Sequence, residues 1–393
     1  MITEEGKAGR KIGERWSAIL VSSPAASNIV EWRPCPTRCY LQRTPRFSNG
    51  VNDVDWLRDS KMAPSDAKAI IVDIMERHGA HCSPEEFHAV LNETFHDFES
   101  EIYDQEHAYM WESLPAQFSL LIDDCLDAYP DFPKEIRLLD VGCGTGLASD
   151  CLLKTAIRTR IKTIDLLDVS QAMLRQASRR ATNWGVPTTC HKGLLDCLPA
   201  GKRYDVIVTC SVLHHVPELA GFLRGIRDIQ ADGGVFLHLQ DPNRDSLQNA
   251  EFKNRVAFLA SRTLPAWTSR FTPRRIARRI IRECSGRQPT DYLSRTNDAL
   301  LKRGIITSPL SVKEIFAITD IHAQEEEGIS LAEMRVWMSE YDCLSQRSYA
   351  FFGKVWCQLP RRFRKVEEDL IHRRAANGEE LCAIWKLRTA PQA

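Results

Sequence analysis

Leu138-Leu139-Asp140-Val141-Gly142-Cys143-Gly144-Thr145-Gly146 is an apolar run that closes on three alternate glycines and runs on into the helical pattern ASDCLLKTA. A buried strand, a glycine turn and a helix in that order make one βα unit, and glycines there let the backbone approach a flat or extended ligand where any Cβ would intrude. A bare βα turn reads the same way, so the downstream sequence must decide. IKTIDLLDV, SQAMLRQASRRATNWG, PTTCHKGLL, YDVIVTC, ELAGFLRGIRDIQ and GGVFLHLQD alternate strand and helix as far as residue 242. Alternation of this kind demands parallel strands joined by helical crossovers. The expected fold is α/β: a doubly wound, Rossmann-like, mostly parallel sheet over residues 131–242.

The turn is a poor dinucleotide fingerprint. After Gly142 and Gly144, the third glycine of G-x-G-x-x-G falls at position 147, which is Leu147. The acidic residue ending the next strand, Asp168, also lies further on than the roughly 20 residues usual in dinucleotide folds. Its carboxylate is nevertheless placed to accept both hydroxyls of a ribose. Asp165 is the rival, and Asp168 is preferred because it stands at the strand end, just before the helix-opening Ser170 with only Val169 between.

DVGCGTG, LLDVSQAML, YDVIVTCSVLHHVPEL and DGGVFLHLQD together resemble the class I S-adenosylmethionine-dependent methyltransferase family, in its small-molecule branch. The resemblance covers roughly residues 136–242. It implies that Asp140 and the turn Gly142, Cys143, Gly144 and Gly146 meet the amino-acid end of S-adenosylmethionine, and that Asp168 with Val169 holds its ribose. It also implies an aromatic from the preceding helix over the cofactor, for which Tyr103 and Tyr109 are the candidates. Many relatives carry Gly-Asp after the third strand for the adenine; here Gly193 is followed by Leu194 and Leu195. Asp196 then takes that part, or backbone and apolar contacts do.

Ser211-Val212-Leu213-His214-His215-Val216 closes the fourth strand of that core, where open α/β sheets put their working residues. A neutral imidazole from His214 or His215 can take a proton from an alcohol, phenol or amine as it attacks a sulfonium methyl group. One histidine packing the loop and the other facing solvent is the competing reading. The Asn/Asp-Pro-Pro-aromatic stretch of nucleic-acid amino-methyltransferases is absent from Cys210 to His215, and only Glu218 stands where protein arginine methyltransferases carry two glutamates.

The rest of the chain is organised around this core. Of its 393 residues, 1–61 are Ser/Pro/Asn/Arg-rich without sustained period and read as a flexible or non-native leader, with Met62 as a native start. Residues 62–130 read as an N-terminal helical cap opened by serine caps, 243–310 as a helical insertion forming a substrate lid, and 311–393 as the remainder of the core with its terminal strands and a second helical insert. Lys+Arg and Asp+Glu are both 52, for zero net charge, so nothing global draws the chain to nucleic acid or anionic lipid. No apolar run approaches the ~20 residues of a membrane helix. Thirteen scattered cysteines indicate reduced thiols and a cytoplasmic protein. Cys35 and Cys39 lack a second Cys/His pair, so no metal is expected there.

In the insertion, RFTPRRIARRIIRE places Arg274, Arg275, Arg278, Arg279 and Arg282 at helical spacing. That is a solvated amphipathic face, or an element binding an anionic acceptor or acidic partner. RNA is disfavoured because no aromatics interleave. Trp267, Tyr292, Trp337, Tyr349 and Phe352 suggest an enclosed organic metabolite as methyl acceptor, with the turn Asp241-Pro242-Asn243-Arg244 lining its pocket. The alternatives are a methyltransferase acting on RNA or protein through the arginines, and a non-catalytic sensor or scaffold.

Overall fold

The computed structural model describes residues 30–33, 67–262, 291–323 and 328–388. Its centre is one eight-stranded sheet of order β1-β4-β3-β2-β5-β6-β8-β7, formed by β1 (Val30–Arg33), β2 (Ile136–Val141), β3 (Ile161–Asp168), β4 (Thr188–Lys192), β5 (Tyr204–Cys210), β6 (Gln230–Pro242), β7 (Tyr341–Tyr349) and β8 (Glu380–Leu387). Strands β1 to β6 pair in parallel. β8 inserts antiparallel between β6 and β7, so the ends of β2, β3, β5, β6 and β7 and the start of β8 share one edge. The expected Rossmann-like sheet is therefore present, and its reversal of strand order falls between β2 and β5. Such a switch point opens a crevice at the strand C-termini.

The leader expectation does not hold for four residues: Val30–Arg33 pairs with β4 in the register Val30↔Thr188 to Arg33↔His191. Val30-Glu31-Trp32-Arg33 does alternate apolar and polar residues, but four residues flanked by Ser- and Pro-rich sequence are too few to announce a strand.

Helices cover both faces. On one side α4 (Ala108–Ala128), α5 (Leu147–Leu152), α6 (Gln171–Ala181) and α13 (Arg361–His372) bury Leu114, Phe118, Leu121 and Phe363 against Leu138, Val208 and Ile384. On the other, α7 (Leu219–Ile229) and α12 (Leu331–Trp337) bury Leu223, Ile226 and Met334 against Ile207, Phe236 and Trp385. Between α7 and α12 in sequence come α8 (Arg244–Leu247), α9 (Ala250–Arg262), α10 (Asp291–Lys302) and α11 (Val312–Thr319). Trp267 and the arginine segment lie outside the described residues.

Part of the cap and part of the insertion make one body, whereas α4 of the cap and Leu259 of α9 pack into the sheet core. α1 (Ala67–Arg77) and α2 (Pro84–Glu99) share a separate apolar core with α10 and α11, built from Ile71, Phe87, Leu91, Leu293, Leu300 and Ile315. The boundary at residue 310 is thus displaced: α11 packs with the lid. Ser83 caps α2 by accepting the Glu86 N–H at 3.1 Å, and Ser311 caps α11 in a full capping box with Glu314. Two cap carboxylates dock this lid on the sheet. Asp97 accepts from Ser170 Oγ at 2.6 Å and from the Ala172 N–H at 3.0 Å, satisfying a donor at the start of α6. Asp104, on α3 (Tyr103–Glu106), accepts from Thr145 Oγ1 at 2.7 Å and Arg180 at 2.6 Å. Among the described residues no helix is long and apolar enough to cross a membrane.

Ile315, fully buried in the lid core, tests this union. Ile315→Ala should destabilise the lid by about 2 to 5 kcal/mol, read as earlier proteolysis of both residues 67–106 and residues 291–323; loss confined to the second segment would mean that cap and insertion are separate bodies.

Candidate active site

The glycine turn leaves β2 through Gly142, Gly144 and Gly146, at φ of +63°, +51° and +90°, a region open mainly to glycine. A Cβ on Gly142 would run into Val212, whereas one on Gly144 would meet nothing within 4 Å. Gly142 is thus required by packing against the loop after β5, and Gly144 by backbone shape beneath an open approach. Cys143 N–H ties the turn to Leu167 O at 3.0 Å.

Asp168 holds the turn from the end of β3. Its two oxygens accept from Gly144 N–H and from Ser170 N–H, each at 2.8 Å. Burial raises its pKa against these hydrogen bonds. Val169 beside it is half-buried. Asp165, the rival, is buried and bonded to Lys202 at 2.5 Å and Tyr204 at 2.6 Å, a closed network within the sheet. Asp140 accepts from Ser149 N–H and Oγ through Oδ2, at 3.0 and 2.7 Å. Its other oxygen is buried without a protein partner, and burial pushes its pKa up to about 7. A cleft at the turn is lined by Asp140, Gly142, Gly144, Cys210, Met110 and Tyr103. An unpartnered carboxylate oxygen, an open backbone approach and a carboxylate with lone pairs to spare fit the amino-acid and ribose parts of S-adenosylmethionine.

Of the two candidate aromatics, Tyr103 lines this cleft. Tyr109 instead packs against the apolar core, and burial lifts its pKa to about 12. Asp196 is exposed on a short 3-10 turn after β4, and no described polar contact brings it to the cleft. A larger cavity of about 570 Å³ lies on the lid between α1 and α11, and no strand-end residue lines it.

Across the cleft, His214 and His215 sit on a short 3-10 turn after β5. His214 Nδ1 is 2.9 Å from Asp241 Oδ1, and the same oxygen accepts the His214 N–H at 3.3 Å. Asp241 is fully buried; its carboxylate orients His214, a role that reading it as a pocket-lining turn had missed. His215 Nδ1 bonds to the carbonyl of Thr319 and stands 3.3 Å from Asp320 Oδ1. Burial, with His214 and His96 adjacent, drives His215 well below its usual pKa. The lid grips this loop again through His322, whose N–H donates to His214 O and whose Nε2 bonds Val216 O, both at 2.9 Å. Backbone strain gathers here: Ser211 and Gln240, just past the end of β5 and near the end of β6, take φ of +61° and +60° without being glycine.

The cap supplies residues that the motifs did not reveal. His96 Nδ1 is 3.0 Å from Glu99 Oε2, and His107 Nε2 is 3.6 Å from Glu99 Oε1. Burial would raise Glu99, but hydrogen bonds from His107 and His96 overcome it and hold the carboxyl near 2. The His96 ring meets that of His215 edge-on at 5.4 Å. Several histidines within the cap's apolar helices were the available signal.

Known proteins share parts of this chain. Residues 110–280 match the family described as "Methyltransferase domain". A ubiquinone biosynthesis O-methyltransferase of Methylobacterium sp. (strain 4-46) is 30% identical over 102 residues, 26% of this chain and 39% of that protein. The lovastatin diketide synthase mokB of Monascus pilosus is 24% identical over 231 residues, 56% of this chain and 9% of that protein. The chain therefore spans about two fifths, 39%, of the length of the first such relative. Among solved structures, the plantazolicin methyltransferase BpumL in complex with SAH superposes with a TM-score of 0.39 at 12% identity, over 82% of this chain and 100% of that one.

Two outcomes check the site. Asp168→Ala should weaken S-adenosylhomocysteine binding by about 1 to 3 kcal/mol in calorimetry, while Asp196→Ala leaves it unaltered; the reverse ranking would misplace the ribose. Glu380 opens β8 with one oxygen buried and unpartnered, and burial, aided by Glu379 and Asp241, lifts its pKa to about 8. A folded carboxyl that keeps its proton longer than the unfolded one makes stability fall as pH rises from the unfolded value of about 4.3 to about 8. Glu380→Gln should flatten that decline in urea melts taken across this range; an unchanged slope would remove Glu380 as its source.

Proposed function

We propose that this chain, whose residues 110–280 match the methyltransferase-domain family, is a class I S-adenosylmethionine-dependent methyltransferase that transfers a methyl group to an oxygen or nitrogen atom of a small metabolite held between the strand ends and the lid. The observation that carries the reading is the convergence, at one sheet edge and beneath one lid, of the Asp168-braced glycine turn and the His214–Asp241 pair. A scaffold that only bound the cofactor would need the first and not the second.

S-adenosylmethionine supplies a methyl group already activated by a positive sulfur, so the chain's own tasks are positioning, exclusion of water and handling of one proton. Asp140 and the backbone from Gly142 to Gly146 take the amino-acid end, Asp168 and Val169 the ribose, and Tyr103 covers the cleft. His214, fixed by Asp241, and His215, fixed by the Thr319 carbonyl, present imidazole nitrogens to the acceptor atom. The relatives named O-methyltransferases support oxygen as that atom. The arginines that suggested an anionic acceptor lie outside the described residues and have no part in this mechanism.

Incubation with methyl-labelled S-adenosylmethionine and a fractionated extract of the source organism should place label in small molecules, identified by mass. His214→Ala should lower that turnover by about 10²- to 10⁴-fold and leave S-adenosylhomocysteine affinity intact. Label only in RNA or protein would replace the reading, and binding without any turnover would make the chain a sensor.

A further inference from the structure

The residues that close the site from its two sides have more order than proton transfer needs. One ligand-competent atom from each of His214, His215 and Asp320 lies within 4.8 Å of the other two. The two imidazoles lie side by side with centroids 4.1 Å apart. Each ring is held at Nδ1, one by the buried Asp241 carboxylate and the other by the Thr319 carbonyl. An imidazole that donates from Nδ1 to such an acceptor keeps its lone pair on Nε2 and its ring in one orientation, which is how histidines that ligate metals are held. A single base requires one such ring. His214 is that ring, and a second imidazole sharing a focus with it and with a carboxylate from another element supplies the further donors of a metal centre.

We propose that His214, His215 and Asp320 bind one divalent transition-metal ion, which clips the lid to the loop after β5 and leaves a coordination position open for an oxygen or nitrogen of the acceptor. Two imidazole nitrogens and one carboxylate oxygen suit zinc, whose reactive sites keep three protein ligands and one open position. Magnesium and calcium favour all-oxygen shells and fit less well. Bonds of about 2.1 Å set ligand atoms roughly 3.4 Å apart around a tetrahedral ion, so the three groups must draw together slightly. Asp320 has the room to do so: its side chain is 30% exposed, against 10% for His214. Its carboxylate faces Nδ1 of His215 at 3.3 Å, so His215 ligates the ion through that nitrogen and yields its bond to the Thr319 carbonyl. The inference rests on the methyl-transfer reading only for the use of the open position. With the ion bound both imidazoles are ligands, and an acceptor oxygen or nitrogen held at that position, acidified by the ion, sheds its proton to solvent instead of to His214 or His215. Ion binding itself does not depend on that reading.

Cobalt(II) chloride is the probe, titrated into the tag-free full chain after chelator treatment and followed by calorimetry and visible absorption. The expected result is one ion per chain, with the d–d bands of nitrogen and oxygen ligation, no sulfur-to-metal charge-transfer band, displacement by zinc, and a higher thermal midpoint. His215→Ala and Asp320→Asn should each weaken binding about 10- to 100-fold, with S-adenosylhomocysteine binding retained as proof of folding. The exposed His372 serves as control, His372→Ala leaving the titration unchanged. No binding, a thiolate band, or binding that both site variants leave intact would overturn the site. Full-rate methyl transfer by the stripped protein would overturn the ion's contact with the acceptor and leave the methyltransferase reading standing. Cobalt bound at these residues in a protein that methylates nothing would do the opposite.

Discussion

The Asp168 carboxylate, bridging Gly144 N–H and Ser170 N–H at 2.8 Å each, is the interaction on which the rest of the site depends. It fixes a turn of left-handed glycines to the start of α6, two segments that no regular ladder joins. Because both of its oxygens accept backbone donors, its orientation is set by the chain itself. Asp97 from the cap reaches the same helix start through Ser170 and Ala172. The strand end, the turn and the lid are therefore tied at one place.

That junction explains why the lid bears on the chemistry. Asp104 bonds Thr145 within the turn, while Thr319, Asp320 and His322 hold the loop from His214 to Val216. These contacts reach both halves of the crevice, and a core of Phe87, Leu91, Leu300 and Ile315 packs the lid helices into one unit. Ser211 and Gln240 in left-handed conformations mark where the packed arrangement outweighs local backbone preference. Strain held at the ends of two adjacent strands suits a site that must present fixed imidazoles.

The parts legible in the sequence are those governed by short-range rules. Gly142, Gly144 and Gly146 announce a turn because positive φ selects glycine, and the buried runs around them announce parallel strands because both faces must be apolar. Asp168 stands out in the sequence by its place at a strand end just before Ser170, although nothing local shows that it braces the Gly144 N–H. Tyr103 could not be separated from Tyr109, since only tertiary packing determines which ring reaches the cleft. The union of α1 and α2 with α10 and α11 escaped for the same reason: each helix shows an apolar face, and nothing local names its partner. Asp241 read as a turn residue because its partner, His214, lies 27 positions away. β1 is too short for its alternation to announce a strand.

The central claim is that the glycine turn and Asp168 form a site for S-adenosylmethionine. Calorimetric titration of the full chain with S-adenosylhomocysteine and, separately, with NAD tests it most directly. The account predicts one saturable site for S-adenosylhomocysteine and no heat of binding for NAD. Saturable binding of NAD alone would contradict it.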